Sequence, residues 1–276
     1  MHVSLRFSSR AHLVLATGLA ATLLGGCAVD DFFGPRPHAA VSSLAAGARA
    51  DADRLATTDP PLAALRRKQA EIFDAEVARL CGTLPDGTTP SSCATGQDDP
   101  AEAPEHTGLE QILAAFDSLP EESRPLAAEQ AIALAKATGT TDVESAARNA
   151  DLAQDALSAE AAREVLRREH ALAYGVGVAR AFGAGNLDDL TASIHERIAA
   201  LTTALEPTGN VPVAEAGYLI TGVPSPTDAA SAQAFVAAAI AQAVDSWTAA
   251  AAAAPGNGSG WLALAITGAA HAGRFQ

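Results

Sequence analysis

Cys27 follows Leu24-Gly25-Gly26 at the end of an apolar run, and the residues around it suit one chemistry: acylation of its thiol with cleavage on its amino side. A leucine three places upstream, with two glycines between, fits a lipoprotein signal-peptidase site. Ahead of it lie a basic leader, with Arg6 and Arg10 and no acid, and an apolar segment from Leu13 to Leu24. That order is the secretory pattern, and the segment falls short of the roughly 20 residues that span a bilayer as a helix. An ordinary signal peptide that happens to contain a cysteine is the competing reading; the position of Cys27 at the cut itself favours lipidation. The expectation is a lipoprotein signal peptide over 1–26 and an extracytoplasmic chain, lipid-anchored to the bacterial cell membrane through Cys27.

Two further cysteines remain. Cys81 and Cys93 bracket Gly82 to Ser92, a run of turn-forming residues without helical period. Two cysteines across a short loop in an oxidising compartment read as a disulfide. Free thiols or a metal pair are the alternatives, and no second Cys-x-x-Cys or His-x-His lies nearby to support the metal.

The remaining candidates for chemistry are Glu169, His170 and His271, all in the C-terminal half. No Gly-x-Ser-x-Gly surrounds any serine, so no elbow nucleophile is indicated. Gly175-Val176-Gly177 sits within a helical pattern and reads as close helix packing, not as a phosphate loop. Charge narrows the partners. The chain carries 18 basic and 32 acidic residues, a formal net charge of −14. That balance argues against nucleic acid and against electrostatic attachment to anionic lipid. Lipid on Cys27 is then the attachment, stable when two or more acyl chains carry it. The expected partners are the membrane, through this anchor, and an envelope protein or a small ligand.

The elements that must position these residues are helices. Alanine dominates, aromatics are scarce, and β-branched runs are nearly absent, so the fold class is all-α. A solute-binding lipoprotein with two α/β lobes would need strand patterns that are missing. Residues 27–39, with Pro35 and Pro37, read as a tether. An N-terminal helical region covers 40–158. Helices over 40–57 and 60–81 form an antiparallel hairpin around Thr57-Thr58-Asp59-Pro60-Pro61. After the cysteine loop, 97–106 is a surface connection. Helices then open at the Thr107–Glu110 capping box, beyond Pro125, and at a second capping box, Thr141–Glu144; this last one runs without a firm stop toward the next segment. Four helices follow: 159–182, 187–206, 226–254 (capped from Ser225) and 260–274. Between the second and third, Tyr218, Leu219 and Ile220 are placed to pack across the bundle end.

Short, longer and short connections give one crossover, the ferritin-like pattern. The segment from Arg163 through Arg168-Glu-His-Ala-Leu-Ala-Tyr-Gly-Val-Gly-Val-Ala-Arg180 resembles the ferritin-like domain of unknown function DUF4439 of actinobacterial proteins. Its first helix carries Glu-His-Ala and then Tyr-Gly, here Glu169, His170, Ala171, Tyr174 and Gly175. The resemblance covers about 155–276. The leader, lipobox and Cys81–Cys93 loop look like the N-terminal part of lipoproteins that carry this domain. It implies a ferritin-like four-helix bundle over 159–276, preceded by additional antiparallel helices, and no particular reaction.

A di-iron site in such a bundle takes a carboxylate from each of two helices and a Glu-x-x-His from each of two others. Glu169 shares the apolar stripe of Ala162, Val165, Leu172 and Val176, with His170 about 100° away on the flank. His271 lies on the stripe of the last helix, His195 and Glu196 fall at the edge of theirs, and the third helix offers only Asp228, Gln242 and Asp245. No Glu-x-x-His occurs, so no metal site and no catalytic residue is assigned. A buried Glu169 paired with an arginine or histidine is expected. The functional expectation is a non-enzymatic helical binding or interaction protein, with Glu169, His170 and His271 as polar core or ligand site. The alternative is a metal- or redox-active ferritin-like protein holding iron or manganese in an atypical site.

Overall fold

Alanine and leucine runs punctuated by aspartate, proline and glycine dictate helices with sharp ends, and nine α-helices and no strand occur among the described residues. The computed structural model describes residues 34–93, 108–219, 222, 224–255 and 260–276. Cys27 and its leader, the first part of the tether, the 97–106 connection, Thr107 and Ile220 lie outside the described residues.

Helices α1 (Ala39–Leu55) and α2 (Pro60–Cys81) form the expected hairpin. Asp59 caps α2, its Oδ1 accepting from the Leu62 amide at 3.1 Å, with Pro60 at the first helical position where no amide hydrogen is needed. Ala45, Ala48 and Ala52 on α1 and Ala63 and Ala70 on α2 are fully buried, so the two backbones approach closely. Cys81 and Cys93 are joined as a disulfide. Ser92 Oγ donates to the Pro35 carbonyl at 2.6 Å, which ties this loop to the segment entering α1. Replacing both cysteines by serine is expected to cost about 3 kcal/mol through loop-closure entropy, measured as a lowered urea midpoint.

Beyond the loop come α3 (Gly108–Ala115), α4 (Arg124–Thr138) and α5 (Val143–Arg148). Gly139 ends α4 in the left-handed region, at φ 69°. Two expectations need correction here. The cap of α5 is Asp142, not Thr141; its Oδ1 accepts from the Ser145 amide at 2.8 Å. And α5 stops at Arg148 instead of running on. A single 3₁₀ turn, Leu152–Gln154, separates it from α6, which Asp155 caps through the Leu157 amide.

The C-terminal half contains α6 (Ala156–Ala181), α7 (Asp188–Leu205), α8 (Ala229–Ala252) and α9 (Trp261–Ala272). Here α6 begins three residues early, and the 158/159 boundary falls within its first turn. Asp228, not Ser225, caps α8; it accepts from the Ser231 amide at 2.8 Å while Ser231 Oγ accepts from the Asp228 amide at 3.0 Å. The competition is decided by position: aspartate at 228 reaches the amide three residues on, leaving Ser225 outside the helix.

Helix α6 packs on α7 and α8, and α9 packs on α8, α4, α5 and, more lightly, α7. One buried cluster runs from Leu44 and Phe73 through Ile112 and Leu134 to Leu166, Leu201, Trp247 and Leu264, so 40–158 and 159–276 share a core. A smaller cluster of Leu172, Val176, Ile194, Phe235 and Ile240 fills the far end of α6, α7 and α8. By length and composition α8 could cross a membrane, with mean hydropathy 1.2, yet it buries Phe235, Ala239, Ile240 and Trp247 in the fold. In the described part of the connection from α7 to α8, Tyr218 rests on Tyr174 of α6, ring centroids 5.7 Å apart, and Leu219 is 90 % exposed.

Candidate functional site

A glutamate on the apolar face of α6 must find donors when buried, and Glu169 finds three. Its side chain is 2 % exposed. Arg197 of α7, 1 % exposed, grips it bidentately, Nε to Oε1 at 2.7 Å and Nη2 to Oε2 at 2.9 Å. Trp247 of α8 donates its indole N–H to Oε1 at 2.6 Å. The remaining arm of the guanidinium, Nη1, donates to Ser193 Oγ at 2.9 Å and lies 3.3 Å from His271 Nδ1 on α9. One carboxylate and one guanidinium thus tie four helices together at the level of Glu169.

His271 joins this network to the surface. Its Nε2 is 2.9 Å from Glu196 Oε2 and 2.5 Å from Arg274 Nη2. The guanidinium facing Nδ1 can only donate and the carboxylate facing Nε2 can only accept, so the network assigns the proton to Nε2. Arg274 is half-exposed, and its approach to Nε2 runs against that tautomer; the fully buried partner decides it. Burial, then the Arg274 and Arg197 charges, push the His271 imidazole down to about 4 against the opposing pull of Glu196, so the ring is neutral at pH 7. His271 borders a cavity of about 450 Å³ between α5 and α7, walled by Val143, Glu144, Glu196 and Thr203.

This depressed value makes the fold acid-sensitive. The unfolded ring takes a proton near pH 6.5 and the folded ring only near pH 4. Stability is therefore complete above about pH 6.5 and is lost as pH falls toward 4. Discounting the full shift for the solvated Arg274 and Glu196 side chains leaves about 2 kcal/mol. The urea midpoint should fall between pH 7 and 4.5, and less steeply in His271→Gln.

A second polar core sits in the N-terminal hairpin. Asp51 Oδ2 accepts from Arg66 Nε at 3.1 Å and from the Gly108 amide at 2.9 Å, and Arg66 Nη1 donates to Gln69 Oε1 at 2.6 Å. Gln69 Nε2 in turn donates to the Gln130 carbonyl of α4 at 2.7 Å. A buried arginine–carboxylate pair thus recurs in both halves of the chain.

These contacts test whether the residues fit a di-iron centre, and they do not. Both oxygens of Glu169 are occupied, one by the Arg197 guanidinium and the Trp247 indole and the other by the guanidinium alone. Asp228 is committed to its cap, Asp245 and His195 are exposed, and among the described residues no group of three or more His, Cys, Asp or Glu side chains could hold a metal ion. Of the three candidate residues, Glu169 and His271 are brought into one network, whereas His170 stays half-buried on the flank of α6, outside it.

The expected pairing of Glu169 with an arginine falls on Arg197, which the sequence had not singled out, nor had it assigned Ser193 or Trp247 to the site; Glu196, placed at the edge of its stripe, joins through His271. A signal for Arg197 was present: it stands three residues after Ile194 and four before Leu201, a charge within the apolar stripe of α7. Trp247 carried the other, an indole N–H on a buried face that needs an acceptor. No family model, no curated protein and no solved structure matches this chain.

Proposed function

We propose that this chain is a bacterial envelope lipoprotein, acylated at Cys27, whose ferritin-like helical body binds a small ligand or an envelope protein and is not an enzyme. The observation that carries this reading is the closure of Glu169. The buried carboxylate where α6, α7 and α8 meet is spent on Arg197 and Trp247, so among the described residues this polar core holds helices together and its donors are already committed. The neighbour relations among α6, α7, α8 and α9, with the long connection between α7 and α8, support a ferritin-like bundle. The acidic body supports covalent lipid as the anchor, because anionic membranes would repel it.

Two measurements test the proposal. Cells fed an alkyne-bearing palmitate should label the wild-type chain in the membrane fraction, and Cys27→Ala should remove the label; persistent labelling of the variant overturns the anchor. The membrane-purified chain should contain no stoichiometric iron or manganese. Metal retained at one or two equivalents, and lost in His271→Gln, overturns the non-enzymatic reading.

A further inference from the structure

An endopeptidase takes its substrate as an extended segment, through backbone N–H and C=O groups that the fold has left unengaged. The connection from α7 to α8 supplies such a segment. Residues 211–219 form neither helix nor strand, and Val213 to Gly217 are exposed throughout. Among the described residues their backbone makes no hydrogen bond to another backbone group. One bond to a side chain occurs, the Glu215 amide donating to the Tyr218 hydroxyl at 2.8 Å. Both ends of the segment are held. Arg163 of α6 donates from Nε to the Asn210 carbonyl at 3.0 Å and from Nη2 to Thr208 Oγ1 at 3.1 Å. At the far end the Asp228 cap closes α8. The middle can therefore lift into a protease cleft without loosening either helix, giving up the Tyr218 contacts with Glu215 and Tyr174.

The exposed loop after α2 cannot lift in this way. It is closed by the Cys81–Cys93 disulfide and folded on itself, the Leu84 amide donating to the Thr88 carbonyl and the Gly87 amide to the Leu84 carbonyl, both at 2.8 Å. Residue type then selects the bond. Phe73, Phe116, Phe235, Trp247 and Trp261 are buried. Tyr174 lies within α6, Phe182 closes that helix with its amide donating to the Val178 and Ala179 carbonyls, and Phe275 belongs to the last 3₁₀ turn. Among the described aromatic residues, Tyr218 alone stands in a connection without backbone bonds. Ala216 and Gly217 before it add no bulk to obstruct a cleft, and Leu219 after it is 90 % exposed.

We propose that the Tyr218–Leu219 bond is a processing site for an envelope endopeptidase whose apolar S1 pocket accepts an aromatic ring. Water adds its oxygen to the Tyr218 carbonyl carbon and the bond to the Leu219 nitrogen breaks. Tyr218 is left as a carboxylate and Leu219 as an ammonium. The product is two chains in one body. Phe235 and Trp247 of α8, with Trp261 and Leu264 of α9, stay buried against helices of the longer piece. The position of the cut stands on the folded body alone; the compartment of the protease rests on the envelope reading above.

The test treats the detergent-solubilised full chain, under native conditions, with chymotrypsin, whose S1 pocket is such an apolar slot. The first cut in the body should release a fragment whose N-terminal sequence starts at Leu219. The two pieces should co-elute in buffer and part in urea, and unfolding of the nicked body should become concentration-dependent. Tyr218→Asp places a charge in the apolar pocket and should slow the cut about 100-fold, whereas Phe182→Ser should leave it unchanged. In the cells that make the chain, the Leu219–Gln276 fragment should accompany the wild type and be missing from Tyr218→Asp. A first cut at Leu84, Leu157 or Phe182, or pieces that separate in buffer, overturns the site, and a wild-type chain left uncut in those cells overturns its processing. Such a failure is separate from that of the broader reading, which metal content and palmitate labelling decide.

Discussion

Arg197→Ala is expected to lower the unfolding free energy by about 3–5 kcal/mol, the cost of leaving a buried carboxylate without its cation. Glu169 would keep only the indole N–H of Trp247, and Ser193 and His271 would lose their shared donor. Arg197→Lys keeps the charge but not the planar fork that meets both carboxylate oxygens, so an intermediate loss is expected. The double variant Glu169→Met with Arg197→Met removes both charges in similar volume and should recover most of the stability, since a buried pair is worth little against a good apolar fill. Urea unfolding of the four proteins checks this. A loss below about 1 kcal/mol in Arg197→Ala would mean that water reaches Glu169 and that the network is not a dry core.

The same comparison bears on why ion pairs are buried here at all. Alanine supplies much of the core, and alanine faces slide past one another with little change in packing. A bidentate Glu169–Arg197 pair, or Asp51 bonded at once to Arg66 and the Gly108 amide, is satisfied in one register only. Uniqueness of helix register, more than net stability, is what such pairs supply in this account. The Glu169→Met and Arg197→Met double variant should accordingly fold but melt over a broader urea range.

Much of this fold was legible in the residues because its signals are local. Asp59-Pro60-Pro61 marks the start of α2, Gly139 the end of α4, and the stripe containing Leu190, Ile194 and Leu201 the buried face of α7. Glu169 was also placeable, since a 3.6-residue period assigns it to the apolar face of α6. Its partner was not, because Arg197 lies on another helix and nothing in sequence spacing records which faces meet. The end of α5 was hidden for a related reason. No glycine or proline closely follows Arg148, and the stop coincides with a tertiary approach: Gly260, at φ 73°, lies so close to the backbone there that a Cβ would stand 2.5 Å from the Asn149 carbonyl oxygen. The caps at Asp142 and Asp228 were each displaced by up to three residues from Thr141 and Ser225, since several adjacent side chains can cap and geometry selects one.

The second large effect is expected at Trp247, and its most informative form is a change of sign at Gly268. Trp247 is 1 % exposed and stacks on Trp261 with centroids 6.3 Å apart. Trp247→Ala should cost about 3–5 kcal/mol, from lost burial and the cavity left behind, and it also removes a donor from Glu169. The indole fits only because α9 carries glycine beneath it: a Cβ on Gly268 would lie 2.4 Å from Cζ3 and 2.5 Å from Cε3 of the ring. Gly268→Ala gains about 1 kcal/mol in helix propensity, yet forcing the indole aside costs about 1–3 kcal/mol. The net change in the wild type is therefore destabilising. In a Trp247→Ala background the clash is gone, the propensity gain remains, and the added methyl fills part of the cavity. Gly268→Ala should there be stabilising by about 1 kcal/mol. A double-mutant cycle by urea unfolding reads this reversal directly. The same sign in both backgrounds would show that the ring is free to move and that α8 and α9 are not locked together by this contact.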